Sequence, residues 1–297
     1  MKKIINSFST ENKFSFYSSF FRIFICIHLL KDVITTWEYK DLLYMSKSFY
    51  VQNESNILGY FNISTQYIKN NFQSFYLIYV IIILLYFFGF GKKITAALLY
   101  IFYEFLQSLC PTIQNGGDNL LKFILLYMVF INSYDYFSIK PKRIDNYESE
   151  KFNHFLSNIF GYSICLHLCL AYFISAIHKI HTDVWFNGVA TYYTLSLERF
   201  RGTNWNLSLA KNGYFVTIST YGTILIELFY PILIWFNKTR NILIISAIVL
   251  HLSIYLLMMI YDFQLVFIFV QGFFICNQEW INIIEYLKRI TIIKKSI

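Results

Sequence analysis

The sequence predicts an all-α protein, a polytopic transmembrane helical bundle of about eight spans with its N- and C-termini both in the cytoplasm. Three observations predict it. Apolar stretches of membrane-crossing length recur along the chain. Charged residues make up only 14% of it, against about 25% in an ordinary soluble domain. Lys and Arg gather in alternate connections between the apolar stretches. Hydrophobic residues reach 57% and mean hydropathy is +0.48, so there is too little polar surface to cover a water-soluble core.

A hydrocarbon core of about 30 Å takes roughly 20 apolar residues per helix. By that measure the expected spans are 14–37, 72–90, 94–110, 119–137, 154–177, 214–236, 241–260 and a short last one at 263–276. Residues 1–13 form an N-terminal cytoplasmic segment, and 277–297 form a basic cytoplasmic tail in which Ile alternates with Lys and Arg. The start Met1-Lys2-Lys3 resembles a signal-peptide n-region. The apolar stretch behind it lacks a small-x-small cleavage site, so it reads as a retained first helix.

The orientation follows from the connections. With the N-terminus inside, the cytoplasmic segments carry Lys2, Lys3, Lys13, Lys92, Lys93, Lys140, Lys142, Arg143, Lys151, Lys238, Arg240 and the four cations of the tail. The outer segments carry fewer: Lys40, Lys47, Lys69, Lys179, Arg199, Arg201 and Lys211. Positive residues mark the cytoplasmic side. The same distribution explains the formal charge of +8 without nucleic acid as a partner, and the lipid bilayer is the partner it implies. Five cysteines, an odd number with no CxxC pair, argue against a disulfide framework and a zinc site. Two outer connections are long, 38–71 and 178–213. The second is rich in Trp and Tyr, as short amphipathic pieces at a membrane interface are.

Ionisable residues inside spans are costly and mark sites or internal pairs. Arg22, His28, Lys31, Glu104, Lys122, His167, Glu227 and His251 fall in that class, and Arg22 with Glu104 or Glu227 would make a structural pair. Three stretches stand out. In Gln114-Asn115-Gly116-Gly117-Asp118, Asp118 suits a helix N-cap, while Gly116 and Gly117 expose backbone amides able to hold an anion or a carbonyl. In His178-Lys179-Ile180-His181, followed by Asp183, Trp185 and Gly188, Lys179 is either a snorkelling anchor or a general base. His178 and His181 have a spacing that metal ligation permits, but nothing nearby completes a ligand set, so no metal is expected. Glu227 and His251, on successive spans, make either structural glue or a proton relay.

The order of these motifs resembles the transmembrane domain shared by vitamin K-dependent γ-carboxylases and the bacterial HTTM (horizontally transferred transmembrane) family, above all its sporulation-delaying protein B branch (SdpB-like). The matching stretches are Tyr172-Phe173-Ile174-Ser175-Ala176-Ile177-His178-Lys179-Ile180, Trp185 to Tyr193, Asn115-Gly116-Gly117-Asp118, Gly222-Thr223-Ile224-Leu225-Ile226-Glu227 and Leu250-His251-Leu252, within an HTTM-like domain at 14–276. The resemblance implies a multi-pass protein of the bacterial inner (plasma) membrane with its site at the extracytoplasmic mouth. Lys179 would be the base, with His251, Asp118 and Glu227 beside it, and Gly116, Gly117, Trp185, His178 and His181 around the substrate. It implies a secreted toxin or antimicrobial peptide precursor as substrate and a small SdpA-like protein as partner. By the carboxylase side of the resemblance, a reduced quinone is the cofactor. The sequence departs from the carboxylases where Gly116 and Gly117 replace an Asn-His pair and His178 replaces a Lys. A maturation factor, a quinone-dependent carboxylase-like enzyme and a non-catalytic transport, immunity or assembly protein all remain open at this point.

Overall fold

The computed structural model describes residues 7–44, 65–139 and 147–295. Among these residues the secondary structure is helical, with no strand. The longer helices are α1 (Ser15–Thr36), α2 (Phe72–Phe87), α3 (Lys93–Leu109), α4 (Gly116–Phe130), α5 (Tyr147–Ile180), α6 (Gly213–Leu233), α7 (Asn237–Met258), α8 (Tyr261–Val270) and α9 (Asn277–Lys295). Two compact units emerge. One combines residues up to Tyr162 with those from Ile275 onward, and the other is Ser163–Phe274. The long helix α5 contributes residues to both.

Among the described residues, three helices are long and apolar enough to cross a membrane: α5, α6 and α7. A fourth crossing results if Tyr261–Phe274 and Asn277–Arg289 act as one span. Helix occupies at least part of every stretch in which the sequence predicts a span. The remaining ones do not reach crossing length and composition by themselves. Helices α2, α3 and α4 have 16, 17 and 15 residues, short of the roughly 20 a bilayer asks for. Helix α1 is long enough at 22 residues but carries Arg22, Lys31 and Asp32. Helix α4 also stops at Phe130, not near 137, and residues 131–139 leave it as irregular chain.

That irregular chain has a physical cause in the first unit. Arg22 is fully buried and, among the described residues, has no carboxylate against it. Its Nε donates to the Ser133 carbonyl at 3.0 Å, Nη1 to the carbonyls of Tyr86 (2.6 Å) and Phe87, and Nη2 to that of Phe137 at 2.8 Å. A guanidinium has five donors in a rigid fork. Here they satisfy the orphan carbonyls at the C-terminal end of α2 and fold 131–139 around the same group. Rings of Tyr86 and Tyr134 flank the cation. The expected pairing of Arg22 with Glu104 or Glu227 is therefore corrected, since backbone carbonyls compensate the charge. Glu104 instead meets Lys122, 2.8 Å away, joining α3 to α4.

Two asparagines, half-buried Asn277 and buried Asn158, fix the ends of this unit. Phe14, at the N-cap of α1, has no side chain able to cap. Asn277, at the start of α9, supplies the cap from a distant part of the chain: its Oδ1 accepts from the Phe16 amide at 2.9 Å. Asn158 of α5 donates to the carbonyls of Phe8 and Glu11 and accepts from the Lys13 amide. The turn between α2 and α3 needs Gly89, which has φ +76° and whose missing Cβ leaves room for Ser138.

Candidate functional site

The second unit carries a cavity of about 280 Å³ walled by α5, α6, α7, α8 and the short helix Ala190–Ser196. Its walls are mainly apolar and aromatic, with Tyr172, Phe215, Phe263 and Phe267. Lys179, Glu227, His251 and Trp185, four residues predicted from the sequence, line it together.

Lys179 stands one residue from the end of α5 and turns inward, so the snorkelling reading is corrected. Its Nζ donates to both carboxylate oxygens of Glu227 at 2.5 Å and to Ser175 Oγ, one turn back on α5, at 2.8 Å. The Trp185 ring covers the ammonium, with its centroid 5.0 Å from Nζ, a cation–π contact. The two side chains are 18% and 8% exposed, so the pair is held mostly out of water. Pro231 lies four residues beyond Glu227 in α6. Its missing N–H is the one that would bond the Glu227 carbonyl in a regular helix.

His251 does not pair with Glu227, contrary to the sequence expectation. It belongs to a second, uncharged network of buried side chains. Tyr230 donates its hydroxyl to Gln271 Oε1, and Gln271 Nε2 donates to the Tyr172 oxygen at 2.9 Å. That leaves the Tyr172 proton for His251 Nε2, 2.8 Å away, and His251 Nδ1–H for Gln264 Oε1. Each hydroxyl, amide and ring nitrogen has one consistent role, with the imidazole neutral and its proton on Nδ1. The amides of Gln271 and Gln264 are poor proton carriers, so the chain orients groups rather than conducting protons. Phe267 stacks on the imidazole at 4.9 Å.

The connection after α5 is pinned onto the unit. Thr191 Oγ1 meets Thr220 Oγ1 of α6 at 2.9 Å, and the Tyr221 hydroxyl donates to the Phe186 carbonyl at 2.7 Å. Gly188 (φ +72°) sits where a Cβ would strike the Tyr221 ring. Trp185 is thereby held over Lys179.

The other predicted residues lie elsewhere. His178 and His181 are exposed and do not line the cavity. Gly116, Gly117 and Asp118 belong to the first unit, where Asn115 Oδ1 accepts from the Gly117 and Asp118 amides and Asp118 Oδ2 accepts from the Asn115 amide. That is a closed capping box, in which the exposed-amide reading loses the Gly117 and Asp118 donors. Sequence reasoning missed Tyr230, Gln264 and Gln271. Gln264 and Gln271 stand seven residues apart in an apolar stretch, a spacing that puts two amides on one helical face, and that signal was readable. The five cysteines are free thiols.

Fold and cavity together define an all-helical protein with helices able to cross a membrane and an inward-facing Lys–Glu pair in an aromatic pocket. No protein-family model, curated protein or solved structure matches the chain.

Proposed function

We propose that the chain is a multi-pass factor of the bacterial plasma membrane, with about eight spans and both ends in the cytoplasm, that matures or modifies a secreted toxin or antimicrobial peptide. The observation that carries this reading is the Lys179–Glu227 pair facing the cavity. Desolvated ionisable pairs are expensive to maintain, and a cavity beside one gives a substrate access to it. A proton passed from Lys179 to Glu227 leaves a neutral amine and a neutral acid, so the pair can release a base with no net change in pocket charge. Ser175 and Trp185 keep the amine aimed while this happens. The resemblance to the sporulation-delaying branch supports an exported peptide as substrate and a small SdpA-like protein as partner.

The aromatic walls favour a second reading, a carboxylase-like enzyme in which the pocket takes a reduced quinone and Lys179 removes its proton. The two readings differ in product. Mass spectrometry of the secreted peptide from a co-expressing strain should show CO₂ addition on Glu only under the second.

The test of the first is mature-peptide output from cells carrying Lys179→Ala or Glu227→Gln at matched protein levels. Output is expected to fall at least tenfold. Output at the wild-type level with both variants would leave a non-catalytic transport, immunity or assembly role.

A further inference from the structure

The connection between α5 and α6 has an inverted surface. Its buried positions are mostly small or polar, Gly188, Ala190, Asn206 and Ala210, with Leu195 the one large apolar side chain turned inward. Its outward positions carry large apolar groups, with Phe186 67% exposed, Tyr193 54% and Trp205 71%, and Tyr214 at the start of α6 reaches 86%. A water-facing cap would show the opposite pattern.

The cap is also rigidly held. Asn206 Nδ2 donates to the Leu257 carbonyl at 2.7 Å, and the Gly202 amide donates to the same oxygen at 3.0 Å. Leu257 stands at the C-terminal end of α7, where helical carbonyls lack donors. The Asn206 Oδ1 accepts from the Thr203 amide and hydroxyl, closing the loop on itself. The exposed aromatics therefore stand on a fixed platform.

What covers them follows from connectivity and side-chain type. The platform joins the end of α5 to the start of α6 and is bonded to the end of α7, and each of these helices is long and apolar enough to cross a membrane. Exposed Arg199, Arg201 and Lys211 are interleaved with the aromatics, and the exposed acids are Asp183 and Glu198. Trp and Tyr beside Arg and Lys are the side chains that settle between acyl chains and headgroups.

We propose that residues 183–214 form an interfacial cap whose aromatic side chains seat in the lipid leaflet at the acyl–headgroup boundary. The cap holds Trp185 over the Lys179–Glu227 pair from that level. This inference stands whether or not the pair is catalytic.

The test is depth-dependent fluorescence quenching of the full chain in phosphatidylcholine vesicles. Trp205 is kept as the single tryptophan by changing Trp37, Trp185, Trp235 and Trp280 to Phe. Lipids brominated near the headgroup should remove on the order of half the Trp205 emission, lipids brominated near the chain end much less, and aqueous iodide little. Should the fourfold variant fail to reconstitute, the quenching difference between the unaltered chain and Trp205→Phe reports the same depth. Strong iodide quenching with none from brominated lipid would overturn the proposal and leave the aromatics as a protein-docking face. Strongest quenching by the deepest bromine would overturn it in favour of a segment buried in the hydrocarbon.

Discussion

Replacing both members of the Lys179–Glu227 pair should disturb the fold less than replacing either one. Lys179→Met leaves the Glu227 carboxylate 8% exposed with only Ser175 nearby to donate to it. Glu227→Leu leaves the ammonium under Trp185 with one hydroxyl partner. Breaking a buried pair by removing one partner costs about 3–5 kcal/mol, because an uncompensated charge stays behind. At 18% exposure Lys179 can swing partly toward water, so Glu227→Leu belongs near the low end, about 3 kcal/mol. The double variant has lost both charges and both desolvation penalties, and should lie within about 1 kcal/mol of the starting protein or above it. The coupling energy across the cycle is then about 5 kcal/mol or more. Unfolding of the four proteins in one detergent, followed by helical circular dichroism against added denaturing detergent, measures it. Single costs below about 1 kcal/mol that simply add would show that the pair is water-screened, and the structural argument would fail. The double variant then separates folding from function: a folded protein with no mature-peptide output supports the acid–base reading.

Arg22→Ala strips donors from the carbonyls of Tyr86, Phe87, Ser133 and Phe137 at once and should leave no folded protein in detergent extracts; Arg22→Lys, with three donors instead of five, should fold but lose about 2–3 kcal/mol in the same assay. Asn277→Ala removes the cap of α1 and should cost about 1 kcal/mol, whereas an unchanged unfolding midpoint would mean the contact contributes nothing. Gly161→Ala drives a methyl into the Phe14 ring, with a built contact of 2.3 Å; a cost of about 1–3 kcal/mol should outweigh the gain in helix propensity. Tyr172→Phe leaves His251 Nε2 without its donor and should move the imidazole nitrogen resonances of ¹⁵N-His-labelled protein; identical spectra would dissolve the proposed tautomer.

The helical class and the location of the helices were legible because apolar runs and their breaks depend only on local composition. Helix lengths were less so. The stop of α4 at Phe130 depends on Arg22, more than 100 positions away, which draws the carbonyls of 131–139 toward itself. No local signal in 119–137 reports that pull. Likewise, α1 begins where it does because Asn277 supplies a cap that its own N-terminal residues lack.

The site shows why inventory was easier to read than partnership. A polar group inside an apolar run is visible in sequence, and Glu227 and His251 were found that way, while Lys179 stood out between two nearby histidines at a span's outer end. Which groups meet depends on where helices cross. Matching residues by distance from the helix ends would set Lys179, at the end of α5, opposite the first turn of α6 near Tyr214. Its partner Glu227 is 14 residues further along than Gly213, about 21 Å at helical rise. The pinned connection makes the difference. Thr191 and Phe186 bond to Thr220 and Tyr221, so the chain leaving α5 packs beside the first turns of α6 instead of lying beyond them. That packing carries α6 past the end of α5 and brings Glu227 to Lys179. His251 is left to the neutral groups Tyr172 and Gln264. The cavity is therefore lined by the Lys179–Glu227 pair and, from the uncharged chain, by Tyr172 and His251.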